Sequence, residues 1–359
     1  MVKIDNHVPA DLPPDARSET TRAPASPHDG AGRRTALQCM LWAGAGVVWT
    51  MSGGVPVSTM LGISTAVAAS KSEYDPRDGG TSPTARFRDF ERAAPPATST
   101  FSFAQISDSH IGFSHDPNLN PASTLQNAIG KIRAAPIPPA FIVHTGDISH
   151  LSKPSEFDTA TQIINEARLD VHYVPGEHDV LIDNGNAYFK QFAPASKGPW
   201  YSFDQNGVHF IGLTNVLEAK GNGLGFLGDP QLVWLEKDLQ GRSSSQPIVV
   251  FAHIPLWSVY PAWGWGTEDG ARALTMMKRF GSVTVLNGHI HQVLQKVEGD
   301  MRFYTALSTA FPLPAPGMAA GPAPMKVAEK QLRNMLGLRR VLFVPTQSEL
   351  AVTDSTLGA

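Results

Sequence analysis

The chain of 359 residues reads as an α/β protein, and three observations carry that reading. Short apolar, β-branched runs alternate with stretches of helical spacing between Phe101 and Val174. Several of these runs end in loops crowded with Asp and His, as at Phe141-Ile142-Val143 before His144 and Val171 to Val174 before Pro175-Gly176-Glu177-His178-Asp179. With 42% hydrophobic and 17% charged residues, the chain also has the composition and length of a protein with a large core.

Taken in order, residues 1–70 are expected to lie outside the fold. Residues 1 to 30 are polar, rich in Pro and Ala, and without apolar periodicity. Arg33-Arg34 then precedes a weakly apolar run from Leu41 to Val67, with small-x-small sites at Ala66-Val67-Ala68 and Val67-Ala68-Ala69. Paired arginines before such a segment resemble a twin-arginine export signal, which implies the twin-arginine export machinery as a partner and a periplasmic or extracellular destination. The run is also long enough to be an uncleaved membrane anchor, so both readings stand. Cys39 is the only cysteine, which excludes disulfides and thiolate ligands from the mature chain. Residues 71–98 read as a polar linker.

The main domain is expected over 99–345. Phe101 to Ile106 alternates as a strand and ends in Ser107-Asp108-Ser109-His110. Leu125, Ile129 and Ile132 give helical spacing to Ala122–Ala135, which Pro136 closes. The strand Phe141–Val143, a helix from Pro154 to about Arg168, and the strand Val171–Val174 follow. Strand, helix, strand, helix, strand implies right-handed crossovers and a largely parallel core. A short helix is predicted over Asn184–Phe192. Asn206-Gly207 between two apolar runs predicts a hairpin. Asp229 is read as the cap of a helix carrying Leu232, Leu235 and Leu239. Further on come a buried strand ending at His253, a helix over Glu268–Phe280, and a strand Val283–Leu286 ending at Asn287-Gly288-His289. A closing hairpin pairs Val293-Leu294 with Phe303-Tyr304. The stretch 308–324, rich in Pro and Ala, is either a lid or a linker, a helix runs over Val327–Leu336, and 346–359 is read as a tail.

Five loops therefore offer Asp108, His110, Asp147, Glu177, His253, His289 and His291. Imidazole nitrogen mixed with carboxylate oxygen, without thiolate, suits Zn, Mn, Fe or Ni. Seven ligands exceed the needs of one tetrahedral ion and fit two ions sharing a carboxylate. The net charge of -3 gives no electrostatic footprint for nucleic acid, so no specific nucleic-acid binding is expected. Oligomeric state is left open.

Asp108-x-His110, Gly146-Asp147-x-x-His150, Gly176-x-His178-Asp179, His253 and Gly288-His289-x-His291 resemble, in order, the five motifs of the calcineurin-like metallophosphoesterase superfamily. The resemblance covers roughly Phe101 to Tyr304. It implies a four-layer sandwich, two mixed β-sheets flanked by helices, with a dinuclear centre at one edge. It implies that Asp108, His110, Asp147 and His291 hold the first metal ion, and that Asp147, residue 177, His253 and His289 hold the second. It further implies a metal-bridging hydroxide as nucleophile and His178 as general acid acting on a small phosphoester. A phosphodiesterase is favoured. The alternatives are a nonspecific phosphomonoesterase, or a degenerate protein that binds metal or phosphate without turnover.

Two positions depart from the pattern. The family has Asn where this chain has Glu177, which adds a negative charge, and Glu177 is read either as a ligand or as turned outward. His150 stands where relatives often have Asp. It is assigned beside the ligands rather than among them, with Asp179 as the other candidate to orient His178. His144 and Asn287 are read as supports for the site. His172 and His209 are read as structural. Trp257, Tyr260, Trp263 and Trp265 crowd the loop after His253 and are read either as wall packing or as an aromatic rim for an organic leaving group.

Overall fold

Alternate residues of a strand point to opposite faces, and in Phe101–Ile106 every residue is nevertheless buried. A strand covered on both sides requires a layer on each face, and the computed structural model supplies them. It describes residues 47–52, 55–60, 99–192, 198–218, 223–347 and 349–359. The chain divides into two units, Met1–Thr81 and Ser82–Ala359. In the first, β1 (Val47–Ser52) pairs antiparallel with β2 (Val55–Met60), the two separated in sequence by Gly53-Gly54. The leader, Cys39, the Arg33-Arg34 pair, the cleavage sites at 66–69 and the linker up to residue 98 lie outside the described residues. Among the described residues no helix is long and apolar enough to cross a membrane.

In the second unit, β3 (Phe101–Ile106), β4 (Phe141–His144) and β5 (Asp170–Tyr173) are parallel neighbours. The other sheet holds β6 (Tyr201–Gln205), β7 (Val208–Gly212), β8 (Ile248–Phe251), β9 (Val283–Asn287), β10 (Gln295–Glu298) and β11 (Met301–Thr305), in the order β10-β11-β9-β8-β7-β6. There β7, β8, β9 and β11 run parallel, and β6 and β10 add antiparallel edges. The first sheet is completed by β12 (Gly337–Phe343) and β13 (Ala351–Thr356), in the order β13-β12-β3-β4-β5. Both sheets are mixed.

The layers follow from strand alternation. Phe103, Phe141 and Val143 face Phe210, Val249 and Phe251 between the sheets. Phe103 stacks on Phe141 at 5.1 Å and meets Phe210 edge-on at 5.4 Å. On the outer face of the first sheet, Ala104, Ile106 and Ile142 receive Leu125 and Ile129 of α1 (Pro121–Arg133) and Phe157 and Ile164 of α2 (Pro154–Asn165). Tyr188 of α3 (Asn186–Phe192) and Leu332 of α6 (Glu329–Met335) join this layer. On the other side, Ile211, Val250 and Val285 pack against Leu232 and Leu235 of α4 (Asp229–Leu239) and Ala273 and Met277 of α5 (Gly270–Met277). The result is helices, sheet, sheet, helices, the expected four-layer sandwich.

Three local expectations change. Gly228 is the helix cap and Asp229 already the first helical residue. The closing hairpin lies two residues beyond the expected start, over β10 and β11. The segment 346–359 is not a tail, because β13 pairs antiparallel with β12 along six positions. Apolar alternation does not mark β12 in the sequence, because Arg339 and Arg340 interrupt it. Arg339 is nonetheless fully buried. Its guanidinium grips Asp354 of β13 with two bonds of 2.9 and 3.0 Å and donates to Gln105 Oε1 and the Thr305 carbonyl.

Candidate metal centre

Parallel pairing brings the carboxyl ends of β3, β4 and β5 to one edge of their sheet, and β8 and β9 do the same in the other. Open α/β sheets bind ligands at such edges. Chain direction then reverses sharply. Asp108, His110, Asp147, His289 and His291 all take positive φ, between 39° and 67°, although none is glycine. Such backbone costs on the order of 1–3 kcal/mol per residue and collects at functional sites. Neighbouring motifs also approach without room to spare. Gly146 sits at φ 96°, and a Cβ there would lie 2.5 Å from His253 Nδ1. A Cβ on Gly176 would collide with Asp147.

The seven predicted ligands converge into two adjoining groups, Asp108 with His110 and His291, and Glu177 with His253 and His289. Asp147 lies between them, its Oδ2 3.5 Å from His110 Nε2 and 3.4 Å from His253 Nε2. In the first group His291 Nε2 is 3.2 Å from Asp108 Oδ1 and 3.3 Å from His110 Nε2. In the second, Glu177 turns inward. Its Oε2 stands 2.9 Å from His253 Nε2 and its Oε1 2.9 Å from His289 Nδ1.

Main-chain carbonyls set the tautomers. His253 Nδ1 donates to the Thr145 carbonyl at 2.7 Å, and His291 Nδ1 donates to that of Phe311 at 2.6 Å. Each ring is therefore left with its Nε2 lone pair facing the carboxylates, the orientation metal-binding histidines require. The fit to metal ions is further tested by groups with no hydrogen-bond partner. Glu177 Oε2, His253 Nε2 and His289 Nε2 are all buried in that condition. Leaving such atoms unmade costs about 1–3 kcal/mol each, and a cation shared by Glu177 Oε2 and His253 Nε2, 2.9 Å apart, would satisfy both. Nitrogen and carboxylate donors suit transition metals. The residues fit two ions.

The electrostatics agree. Burial would raise Asp108, but His291 and His253 outweigh it and hold the carboxyl at about 2. Burial would likewise raise Glu177, and His289 and His253 instead hold it well below the ordinary carboxylate range. His253 would be lowered by burial, yet Asp147 and Glu177 raise it well above the usual imidazole value. Burial, reinforced by His178, His291 and His150, drives His110 far down. The carboxylates draw positive charge into the cluster, as the raised His253 shows.

His178 stands beside both groups. Its backbone N–H donates to Asp147 Oδ1 at 2.9 Å, and its Nδ1 donates to the His150 carbonyl at 2.7 Å. Neither candidate side chain orients it. The His150 ring instead stacks on His178 at 4.9 Å, with its Nδ1 3.3 Å from His110 Nδ1. Asp179 faces away from the imidazole and accepts from the Ile148, Ser149 and Gly176 N–H groups, tying the second motif to the third.

The supporting residues behave as anchors. His144 accepts from the Gly146 N–H on Nδ1, so its Nε2 donates to Ser109 Oγ at 2.8 Å, and burial holds it neutral by lowering it to about 3. The Asn287 amide donates to the Ala252 and Ile254 carbonyls and fixes the loop carrying His253. His209 is held between Asp204 and Asp238, and His172 stacks on Phe203. Of the four aromatic residues proposed as a rim, Trp265 is buried in a cluster with Phe113, Ile290 and Phe311, and Trp257 packs on Phe303. Tyr260 and Trp263 are half-exposed at that cluster's edge, and Trp257 is half-exposed too.

Sequence reasoning missed Phe311. Its ring stacks on His110 at 4.6 Å while its carbonyl holds His291. It also missed Ser308, whose hydroxyl donates to the Asp108 carbonyl and accepts from the Ala310 N–H. Residues 308–314 are thus mostly buried packing under the first motif, and the exposed part of the Pro-rich stretch starts at Ala315. The loops of His150 and His178 also expose Leu151, Leu181 and Ile182, which no periodicity marked.

The profile of the calcineurin-like phosphoesterase family matches residues 101–293. The chain is 27% identical over 164 residues to the glycerophosphodiester phosphodiesterase GpdQ of Enterobacter lignolyticus, across 43% of this chain and 57% of that protein. It therefore spans less than two thirds of that relative. It is 23% identical to the 3',5'-cyclic adenosine monophosphate phosphodiesterase CpdA of Vibrio vulnificus, across 57% of this chain and 75% of that one. The purple acid phosphatase PPD1 of yellow lupin shares the fold, with a TM-score of 0.54 at 14% identity over 73% of this chain and 52% of its own. With the five motifs gathered at one edge of the sandwich and the profile covering more than half its length, the chain belongs to the calcineurin-like phosphoesterase family.

Proposed function

We propose that the protein hydrolyses phosphodiesters at this centre. The observation that carries the reading is the convergence of seven nitrogen and carboxylate ligands into two adjoining groups around Asp147, with His178 beside both. Asp108, His110, Asp147 and His291 would hold one ion, and Asp147, Glu177, His253 and His289 the other. When bound, two such ions neutralise phosphoryl charge and make a water nucleophilic near neutral pH. The chain supplies the rest. The Thr145 and Phe311 carbonyls keep His253 and His291 in the ligating tautomer. The His150 carbonyl keeps the Nδ1 proton on His178, so its Nε2 is the atom that passes a proton to the leaving oxygen. Half-exposed Tyr260 and Trp263, with Leu151, Leu181 and Ile182, offer apolar surface for an organic leaving group.

A diester is favoured because the two relatives above are phosphodiesterases by name and because Glu177 adds a third carboxylate to the site. The test is turnover of bis-p-nitrophenyl phosphate and p-nitrophenyl phosphate by protein loaded with Mn, Zn, Ni or Fe. Faster diester cleavage is expected. Absence of turnover with every metal would instead leave a protein that binds metal without catalysis.

Arg33-Arg34 ahead of the apolar run supports export through a twin-arginine route. Replacing both arginines by lysine should retain the protein in the cytoplasm on cell fractionation. Unchanged export would remove this part of the proposal.

A further inference from the structure

Glu177 brings a third carboxylate to the candidate centre, beside Asp108 and Asp147. Glu177 belongs to a 3-10 turn, Glu177–Asp179, and the Asp179 carboxylate fixes that turn through Gly176, Ile148 and Ser149. The turn sends the Glu177 side chain to the second ligand group, where each carboxylate oxygen lies 2.9 Å from a histidine nitrogen. Glu177 Oε2 is buried without a hydrogen bond. Among the described residues, the ion-pair partners of Asp108, Asp147 and Glu177 are histidines, and neither Lys nor Arg offsets these three charges. Against two divalent ions, three carboxylates leave a net charge of about +1, whereas an amide at 177 would leave about +2.

We propose that Glu177 determines substrate charge, making the centre selective for monoanionic phosphodiesters by repelling the dianionic phosphate of monoesters and of inorganic phosphate. The inference rests on the phosphoesterase reading above. A dianion carries one more unit of charge than a diester, so the two feel a neighbouring carboxylate differently. A second consequence follows for turnover. Hydrolysis of a diester leaves a monoester and an alcohol, and the same repulsion expels the monoester product, so the protein would release it rather than cleave it again. The monoester would then need a separate phosphomonoesterase to complete dephosphorylation.

The test compares wild type with Glu177→Asn and with Glu177→Gln, which keeps the chain length. Bound metal is counted by elemental analysis of each Mn-loaded protein. Inorganic phosphate and dimethyl phosphate are then titrated calorimetrically above pH 8, and kcat/KM is measured for the p-nitrophenyl mono- and diester. With two divalent ions retained, removing the charge should tighten phosphate relative to dimethyl phosphate by about tenfold or more. The monoester-to-diester ratio of kcat/KM should rise in parallel. Ratios that stay within about twofold of wild type in both variants overturn the proposal. So does a trivalent ion in the isolated wild-type protein, because it would cancel the added charge. Failure of the phosphoesterase reading looks different, since wild type would then turn over neither ester and bind neither anion when metal is added.

Discussion

The imidazole of His178, like those of His253 and His291, is held by a main-chain carbonyl. Removing the His150 side chain leaves its carbonyl in place. His150→Ala should therefore lower kcat less than about tenfold, whereas His178→Ala should lower it by 10²–10⁴-fold, the usual span for a general acid. Both variants should keep two metal ions by elemental analysis. Loss of metal from His178→Ala would show that His178 is a ligand. Asp238 gives a second prediction at this scale. Burial opposes its charge, but hydrogen bonds from His209 and Ser202 win and lower it. A carboxyl lowered in the folded state stabilises above its unfolded value, about 4, and loses that contribution as pH falls through its folded value. Stability should thus fall below about pH 4, and Asp238→Asn should flatten that acid limb in urea denaturation. An unchanged acid slope would mean that His209 and Asp238 do not set it. The candidate ligands were legible in the sequence because Asp and His after strands have few structural uses. Their carbonyl partners were not legible, since any residue provides a carbonyl.

The C-terminal hairpin is where an element changed meaning. β12 and β13 close the first sheet, and Arg339 sits buried where that sheet meets the other. From Asp354 the contacts run through Arg339 to Gln105, then to Thr145 Oγ1 and the Asn287 carbonyl beside the site. Asp354→Ala would leave the guanidinium buried without its carboxylate, at a cost of about 3 kcal/mol. Arg339→Met removes the charge together with its need for a partner and should cost clearly less. Denaturant midpoints of the two variants measure the difference, and the reverse ranking would contradict it. Sequence spacing did not show this hairpin, because two arginines and a polar edge strand hide the alternation that marks buried strands.

For the molecule as a whole, this cluster should link folding to metal binding. Strained turns at five candidate ligand residues, three carboxylates and the partnerless atoms Glu177 Oε2 and His253 Nε2 are destabilising by themselves and favourable around cations. Removing metal with a chelator should lower the melting temperature, and saturating metal at 1,000 times Kd should add about 4 kcal/mol per site. A melting curve indifferent to chelator and added Mn would mean that the cluster is not a metal centre. The sequence by itself determined the alternation of strands and helices, the chemistry of seven candidate ligands and their family pattern, because periodicity and residue type are local properties. Only the tertiary structure decided that Glu177 turns inward, that Asp179 ties two loops rather than orienting His178, and that Trp265 is core while Phe311 touches the site. These outcomes depend on which loops of two different sheets meet at one edge. Packing between the sheets sets that meeting, and no window of the chain contains both sides of it.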